Sequence, residues 1–176
     1  VQLVFVGPPL LEQFEEYAGI DEETARKAVE IYRERYAPIG IFENELYPGI
    51  EEMLSGLKNR GYKLAIASSK PEVFVKIVAE HFHIDSYFDE MVGSEPEGGR
   101  TNKTEVIEEA LKRLGLSEHR DQVMMVGDKE HDVFGARRAG LECIAVSYGY
   151  GTEEELENAH PYKIVNSAEE ILDFFA

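Results

Sequence analysis

QVMMVGDKEHDVFGARRAG, residues 122–140, is the stretch on which the fold turns. Gln122 to Val126 is a short apolar run of buried-strand type, and Glu130 to Ala139 reads as a helix ended by Gly140. Gly127 and Asp128 therefore fall at the carboxyl end of a strand, with Asp132 four residues on. Two carboxylates so placed can hold Mg2+, which takes oxygen ligands and often shares them with a substrate phosphate. The plainer alternative is that Asp128 caps the helix and Asp132 lies on a solvated face. His131, between them, reads as exposed or as sitting behind the ligands, because Mg2+ prefers oxygen.

The same alternation runs outward in both directions. Upstream, Ile50 to Asn59 is a helix ended by Gly61, Lys63 to Ala67 a strand, and Pro71 opens a helix through Phe82 with Phe74, Ile77 and Val78 on one side. Asp89 to Gly93 is a short strand, and Lys103 to Leu114 a helix ended by Gly115. Downstream come a strand from Glu142 to Val146, a helix from Thr152 to Asn158, a strand from Tyr162 to Val165 and a helix from Ala168 to Phe175. Strands separated by helices of this length imply an α/β fold with a Rossmann-like parallel sheet flanked by helices. Ligands of such sheets sit beyond the carboxyl ends of the strands. There the upstream half offers Ser68, Ser69 and Lys70, two hydroxyls and a cation where free backbone N–H groups favour an anion; their plainer role is to cap the helix. Lys103 opens its helix after the Gly98-Gly99-Arg100-Thr101-Asn102 loop. A cation at a helix N-terminus opposes the helix dipole, so it serves something other than helix stability, unless it is simply solvated. Arg100 is a second cation in that loop.

The first 46 residues lack this rhythm. An apolar run, Val1 to Val6, ends at the Gly7-Pro8-Pro9 turn. Leu10 to Ala18 and Glu22 to Ala37 read as helices broken at Gly19. The second has Ala25, Ala28, Val29, Tyr32 and Tyr36 on one apolar face and stops at Pro38 and Gly40. Residues 1–46 are thus expected to form a small helical lobe and residues 47–176 the sheet domain, with Pro48-Gly49 near the boundary. The 176 residues suffice for a real core without a metal or disulfide staple. With 35 acidic and 18 basic side chains the net charge is −17, which argues against nucleic acid or an anionic membrane surface as partner. A phosphorylated small molecule stays open, because a local cluster can override the global field. No run approaches a membrane-spanning length. One cysteine, Cys143, fits a reducing, cytoplasmic setting.

Taken in order, these motifs resemble those of the haloacid dehalogenase-like superfamily, over nearly the whole chain. VMMVGDKEHDVFGARRAGLECIAVSYGYG resembles the fourth motif of its phosphatase branch, AIASSKP the second and GGRTNKTEVIEEAL the third. VGPPLLEQF, the helical lobe and ELYPGI resemble the small helical cap of the phosphoglycolate phosphatase and 5′-nucleotidase-like members. The resemblance implies a Mg2+-dependent phosphomonoester hydrolase that forms an aspartyl-phosphate and acts on a small phosphorylated metabolite. It implies that Ser68 binds a phosphoryl oxygen, Lys103 neutralises phosphate and nucleophile, Asp128 ligates Mg2+, and Asp132 ligates it or orients its waters. Ser69, Lys70 and Arg100 join Arg33 and Tyr36 of the cap as substrate-binding candidates.

The family's first motif, Asp-x-Asp-Gly-Thr, is absent: Asp21, Asp85, Asp89, Asp121, Asp128, Asp132 and Asp173 are the only aspartates, and none opens such a run. The expectation is a shortened form whose nucleophile strand lies upstream, between the strands ending at Ala67 and Val126, so that these residues alone do not turn over substrate. The rival expectation is a non-catalytic module that binds a phosphometabolite or a metal.

Overall fold

The structure is a computed structural model, and it describes residues 10–95 and 100–176. The Val1–Val6 run, the Gly7–Pro9 turn and the Gly98-Gly99 pair lie outside the described residues. The chain divides into two compact units, residues 1–45 and residues 46–176.

In the first unit, α1 (Leu10–Ala18) and α2 (Glu22–Tyr36) pack on each other. Asp21 starts α2 by accepting a hydrogen bond from the Thr24 N–H, which satisfies an otherwise unpaired helix-end donor. Ala25 and Val29 are buried, but the apolar face stops there. Tyr32 is 40% exposed and stacks on Tyr36, ring centroids 5.2 Å apart, so these rings cover each other on the surface instead of extending a core stripe.

The second unit is a layered α/β domain. Its elements are α3 (Ile50–Asn59), β1 (Ala65–Pro71), α4 (Glu72–His81), β2 (Glu90–Ser94), α5 (Lys103–Leu114), β3 (Met124–Gly127), α6 (Glu130–Arg138), β4 (Glu142–Val146), α7 (Glu153–Ala159), β5 (Lys163–Val165) and α8 (Ala168–Phe174). All strand pairs among the described residues are parallel. Successive strand residues face opposite sides, as the pleat requires. Ala67, Met125 and Cys143 therefore pack toward α5, α6 and α7 with Ile107, Leu111, Val133 and Ala136. On the other face, Ile66 and Met91 join Leu54 of α3 and Ala79 of α4, while Ile144 and Val146 join Ile171 of α8.

Among the described residues the strands form two sheets, β1-β2 and β3-β4-β5. There β1 and β3 are not hydrogen-bonded to each other; α5 packs on both strands of the first sheet and on α6, which packs on β3 and β4 of the second. Val126 of β3 is 36% exposed, unusual for an apolar residue of a strand expected to be buried on both faces.

Three local differences from the sequence reading have clear causes. β1 runs on to Pro71 because it re-pairs with β2 after a bulge: Ala67 faces Val92 and Pro71 faces Ser94, so β1 takes four steps where β2 takes two. The buried stripe of α4 centres on Val75 and Ala79 instead of Phe74, Ile77 and Val78, because α4 sits against both β1 and β2. A short 3-10 turn over Arg120–Gln122 delays β3 to Met124.

Candidate active site at two strand ends

The carboxyl end of β3 is shaped by one buried carboxylate. Asp132, near the start of α6, is 6% exposed, so the solvated-face alternative does not describe it. Its Oδ2 accepts hydrogen bonds from the Asp128 and Lys129 N–H groups, both at 3.0 Å, and thereby fixes the turn between β3 and α6. Its Oδ1 lies 2.8 Å from the Lys103 ammonium. The fit needs glycine at 127: a Cβ there would come within 2.3 Å of the Asp132 Cβ. Nor does Asp128 cap α6, whose N-cap is Lys129. The Asp128 Oδ2 instead accepts a hydrogen bond at 2.8 Å from the Tyr150 N–H, in the loop after β4. Gly149 of that loop touches Asp128 so closely that a Cβ would lie 2.2 Å from the Asp128 Cβ.

The carboxyl end of β1 is built differently. The bulge takes Ser68 to Lys70 out of the ladder, and the Ser68 hydroxyl accepts a hydrogen bond from the Lys70 N–H at 3.1 Å. No side chain caps α4, so the plainer capping role of Ser68 and Ser69 is not what the structure has. Ser69 and Lys70 are half-buried on the same bulge.

Lys103 links the two ends. Its ammonium also donates to the Ala67 carbonyl at 3.0 Å, next to Ser68, and its side chain is 16% exposed, so it is not a solvated surface lysine. The dipole objection to a cation at the start of α5 is met locally. Asn102 and Glu105 form a capping box that satisfies the helix-end N–H groups, and the ammonium turns to Asp132. Ser68, Lys103, Asp128 and Asp132 are thus joined through short contacts and chain neighbours beyond the ends of β1 and β3.

Of the other candidates, Arg100 lies elsewhere in the same unit. Arg100, 12% exposed, is directed into a cluster in which its guanidinium meets Glu72 and Glu95 at 3.0 Å and the Gly93 carbonyl at 3.1 Å. Arg113 and Lys76 complete that cluster around Glu72. Burial would raise the Glu72 carboxyl, but hydrogen bonds from Lys76 and Arg113 outweigh it and hold the pKa at about 2. Arg100 serves this structural network. Arg33 and Tyr36 belong to the helical unit. His131 is exposed.

Sequence reasoning missed an aromatic wall. Tyr47 and Tyr148 meet edge to face at 5.1 Å. Burial raises both phenol pKa values, and the Asp128 carboxylate adds to the rise in each case. It missed, too, the ion pair at 2.8 Å between Lys129 and Glu155, which ties α7 to the start of α6. Neither pairing has a spacing signature in the sequence.

The donor set suits a hard divalent cation in one way. Asp128 is fixed through Oδ2, and its Oδ1 has no partner among the described residues, whereas both Asp132 oxygens are engaged within the protein. No group of three or more His, Cys, Asp or Glu able to hold a metal occurs among the described residues. A cation that keeps several waters and takes one or two carboxylates fits such a place; that is the habit of Mg2+.

The model of the family described as haloacid dehalogenase-like hydrolase matches residues 2–146. A Pseudomonas aeruginosa protein named 5′-nucleotidase is 45% identical over 89% of this chain and 70% of its own length. The tyrosine-protein kinase PtkA of Mycobacterium tuberculosis is 33% identical over 93% of this chain, and a phosphoglycolate phosphatase of Pseudomonas savastanoi is 27% identical over 89%. The chain spans little more than half of each of those two proteins, 55% and 57%. Among solved structures, a predicted phosphatase from Clostridium acetobutylicum superposes with a TM-score of 0.92 at 46% identity, over 97% of this chain and 78% of that one.

Proposed function

The chain belongs to the haloacid dehalogenase-like hydrolases, and on that premise we propose that it is the phosphate- and metal-handling part of a Mg2+-dependent phosphomonoesterase acting on a small phosphorylated metabolite. One observation carries the reading. Lys103 joins the Ala67 carbonyl at the end of β1 to Asp132, and Asp132 in turn orders the Asp128 backbone at the end of β3. A cation, a carboxylate with a free oxygen and a hydroxyl beside a bulge N–H thus meet where parallel sheets bind ligands. The relatives' names support it, since a nucleotidase, a phosphoglycolate phosphatase and a tyrosine kinase all handle a phosphoryl group.

In this reading Asp128 would hold Mg2+, and the ion would supply charge stabilisation to the phosphoryl oxygens when bound. Asp132 acts indirectly: it keeps Lys103 extended across the strand ends and fixes the backbone that carries Asp128. Lys103 offers the positive charge that a phosphoryl group acquiring charge in the transition state requires. Ser68 donates to a phosphoryl oxygen, its own oxygen being held in place by the Lys70 N–H. Attack on phosphorus needs a carboxylate in line at about 3 Å. Neither Asp128 nor Asp132 is suited to it, the first being the metal's ligand and the second buried against Lys103. The family's nucleophile run is not among these 176 residues, so the covalent aspartyl-phosphate step is assigned to a strand ending in Asp-x-Asp-Gly that pairs along β1 and β3.

The decisive experiment joins such a strand to the 176 residues and runs a panel of phosphomonoesters with Mg2+. Turnover is expected in the joined protein, none in the 176 residues alone, and none when the strand's first Asp is changed to Asn. Equal turnover with and without the strand contradicts the assignment. Phosphate binding without turnover in the joined protein would favour a non-catalytic module, the reading that the absence of an Asp-x-Asp-Gly run supports.

A further inference from the structure

We propose that Gly135 is a positioning residue for Lys103: it is glycine so that the lysine stem can cross α6 and deliver its ammonium to Asp132 and the Ala67 carbonyl. Gly135 is buried in the interior of α6, three residues after Asp132 and three before the helix's last residue. Its backbone φ is not in the left-handed region, so no turn or cap asks for glycine here. Apart from proline, glycine is the least favourable residue for a helix interior, so a tertiary cause is required. Space supplies one. A Cβ at 135 would lie 2.5 Å from the Lys103 Cγ and 2.9 Å from its Cβ, while the next neighbour, Ile107 Cδ1, is an ordinary 3.6 Å away. The obstacle is thus the root of the lysine side chain, not its mobile tip. A methyl group at 135 pushes the stem sideways, and the ammonium cannot then keep both partners, at 2.8 Å and 3.0 Å.

The functional half of this inference rests on the reading of Lys103 as the phosphate-binding cation; the structural half does not. Wild type, Gly135→Ala, Lys103→Ala and the double variant are compared for inorganic phosphate affinity by calorimetry and for thermal midpoint. Loss of a charged hydrogen bond is worth roughly tenfold or more in affinity. Gly135→Ala should lose phosphate affinity by that much, and should lose nothing further once Lys103 is Ala. Its effect on the midpoint should depend on Lys103. Where Lys103 is present the new methyl lowers the midpoint; where Lys103 is Ala, the 2.5 Å approach to Cγ is gone, the 2.9 Å approach of the two Cβ atoms remains, and the loss is smaller. If Gly135→Ala does not fold, the double variant should, because the closer of the two obstacles is gone; failure of both overturns the inference. Wild-type phosphate affinity in Gly135→Ala, with affinity lost in Lys103→Ala, overturns the inference and leaves the proposed function standing. Unchanged affinity in Lys103→Ala removes the proposed function, and the difference between the two midpoint shifts then decides the inference alone: equal shifts in the two backgrounds overturn it.

Discussion

In the function proposed here the ends of β1 and β3 serve one ligand, but they are held by opposite means. The β3 end is locked from within. Asp132 takes two backbone N–H groups and one ammonium, and glycine at 127 and 149 lets two carboxylates lie against bare backbone. The β1 end is held from behind. Its own ladder is broken by a bulge, and the nearest anchor is Glu72, the first residue of α4. There Arg100, Arg113 and Lys76 converge, and the Gly93 N–H of β2 approaches at 3.5 Å. The contrast suits the two jobs. A carboxylate that must present a fixed oxygen to a metal gains from a rigid seat, since little is then lost in ordering it. A loop that wraps a phosphoryl group needs backbone N–H groups taken out of a ladder, and a bulge frees them. Lys103 belongs to neither strand and is bonded at both ends, so it couples the two.

Breaking the lock should produce the largest effect. Asp132→Ala leaves the largely buried Lys103 ammonium without its counter-charge, with the Ala67 carbonyl still accepting from it, and frees two backbone N–H groups; removing one partner of a buried pair typically costs about 3–5 kcal/mol. Urea unfolding should show a loss of that order. A change below about 1 kcal/mol would mean that the β3 end is not held by Asp132, and the contrast with β1 would fail.

The anchor behind β1 should respond to acid, to a smaller extent. A carboxyl whose pKa is lower in the folded than in the unfolded state stabilises the fold above the unfolded value. It loses that contribution as pH falls toward the folded one. For Glu72 this window runs from 4.5 down to about 2. Between those limits wild type should lose more stability than Glu72→Gln, which has no carboxyl to protonate. Parallel stability curves for the two proteins through this range would show that the Glu72 cluster does not hold the β1 end.

Much of this was legible in the sequence where the signal is local. The α5 helix is bounded by Asn102, which caps it, and by Gly115, whose φ of 71° suits glycine, and its ends are found where the sequence places them. The alternation of strands and helices gave the parallel α/β architecture for the same reason: periodicity is a property of each segment alone. The run of β1 through Ser68 to Pro71 was not legible, because it depends on where β2 resumes pairing. At the site, residue type and spacing singled out Lys103, Asp128 and Asp132, but not that both oxygens of Asp132 are engaged within the protein. That division arises only when α5 and α6 are packed side by side. The Tyr150 N–H that seats Asp128 is a backbone group, and no residue type announces it.

The central claim is that Asp128 and Lys103 serve one ligand, a phosphoryl group shared with Mg2+, and it is tested most directly by titrating inorganic phosphate with and without Mg2+ into wild type and Asp128→Asn. Wild type should bind phosphate more tightly in the presence of Mg2+. Asp128→Asn should keep its metal-free affinity, through Lys103 and Ser68, and lose the enhancement. An equal Mg2+ enhancement in both proteins, or none in wild type, would contradict the account.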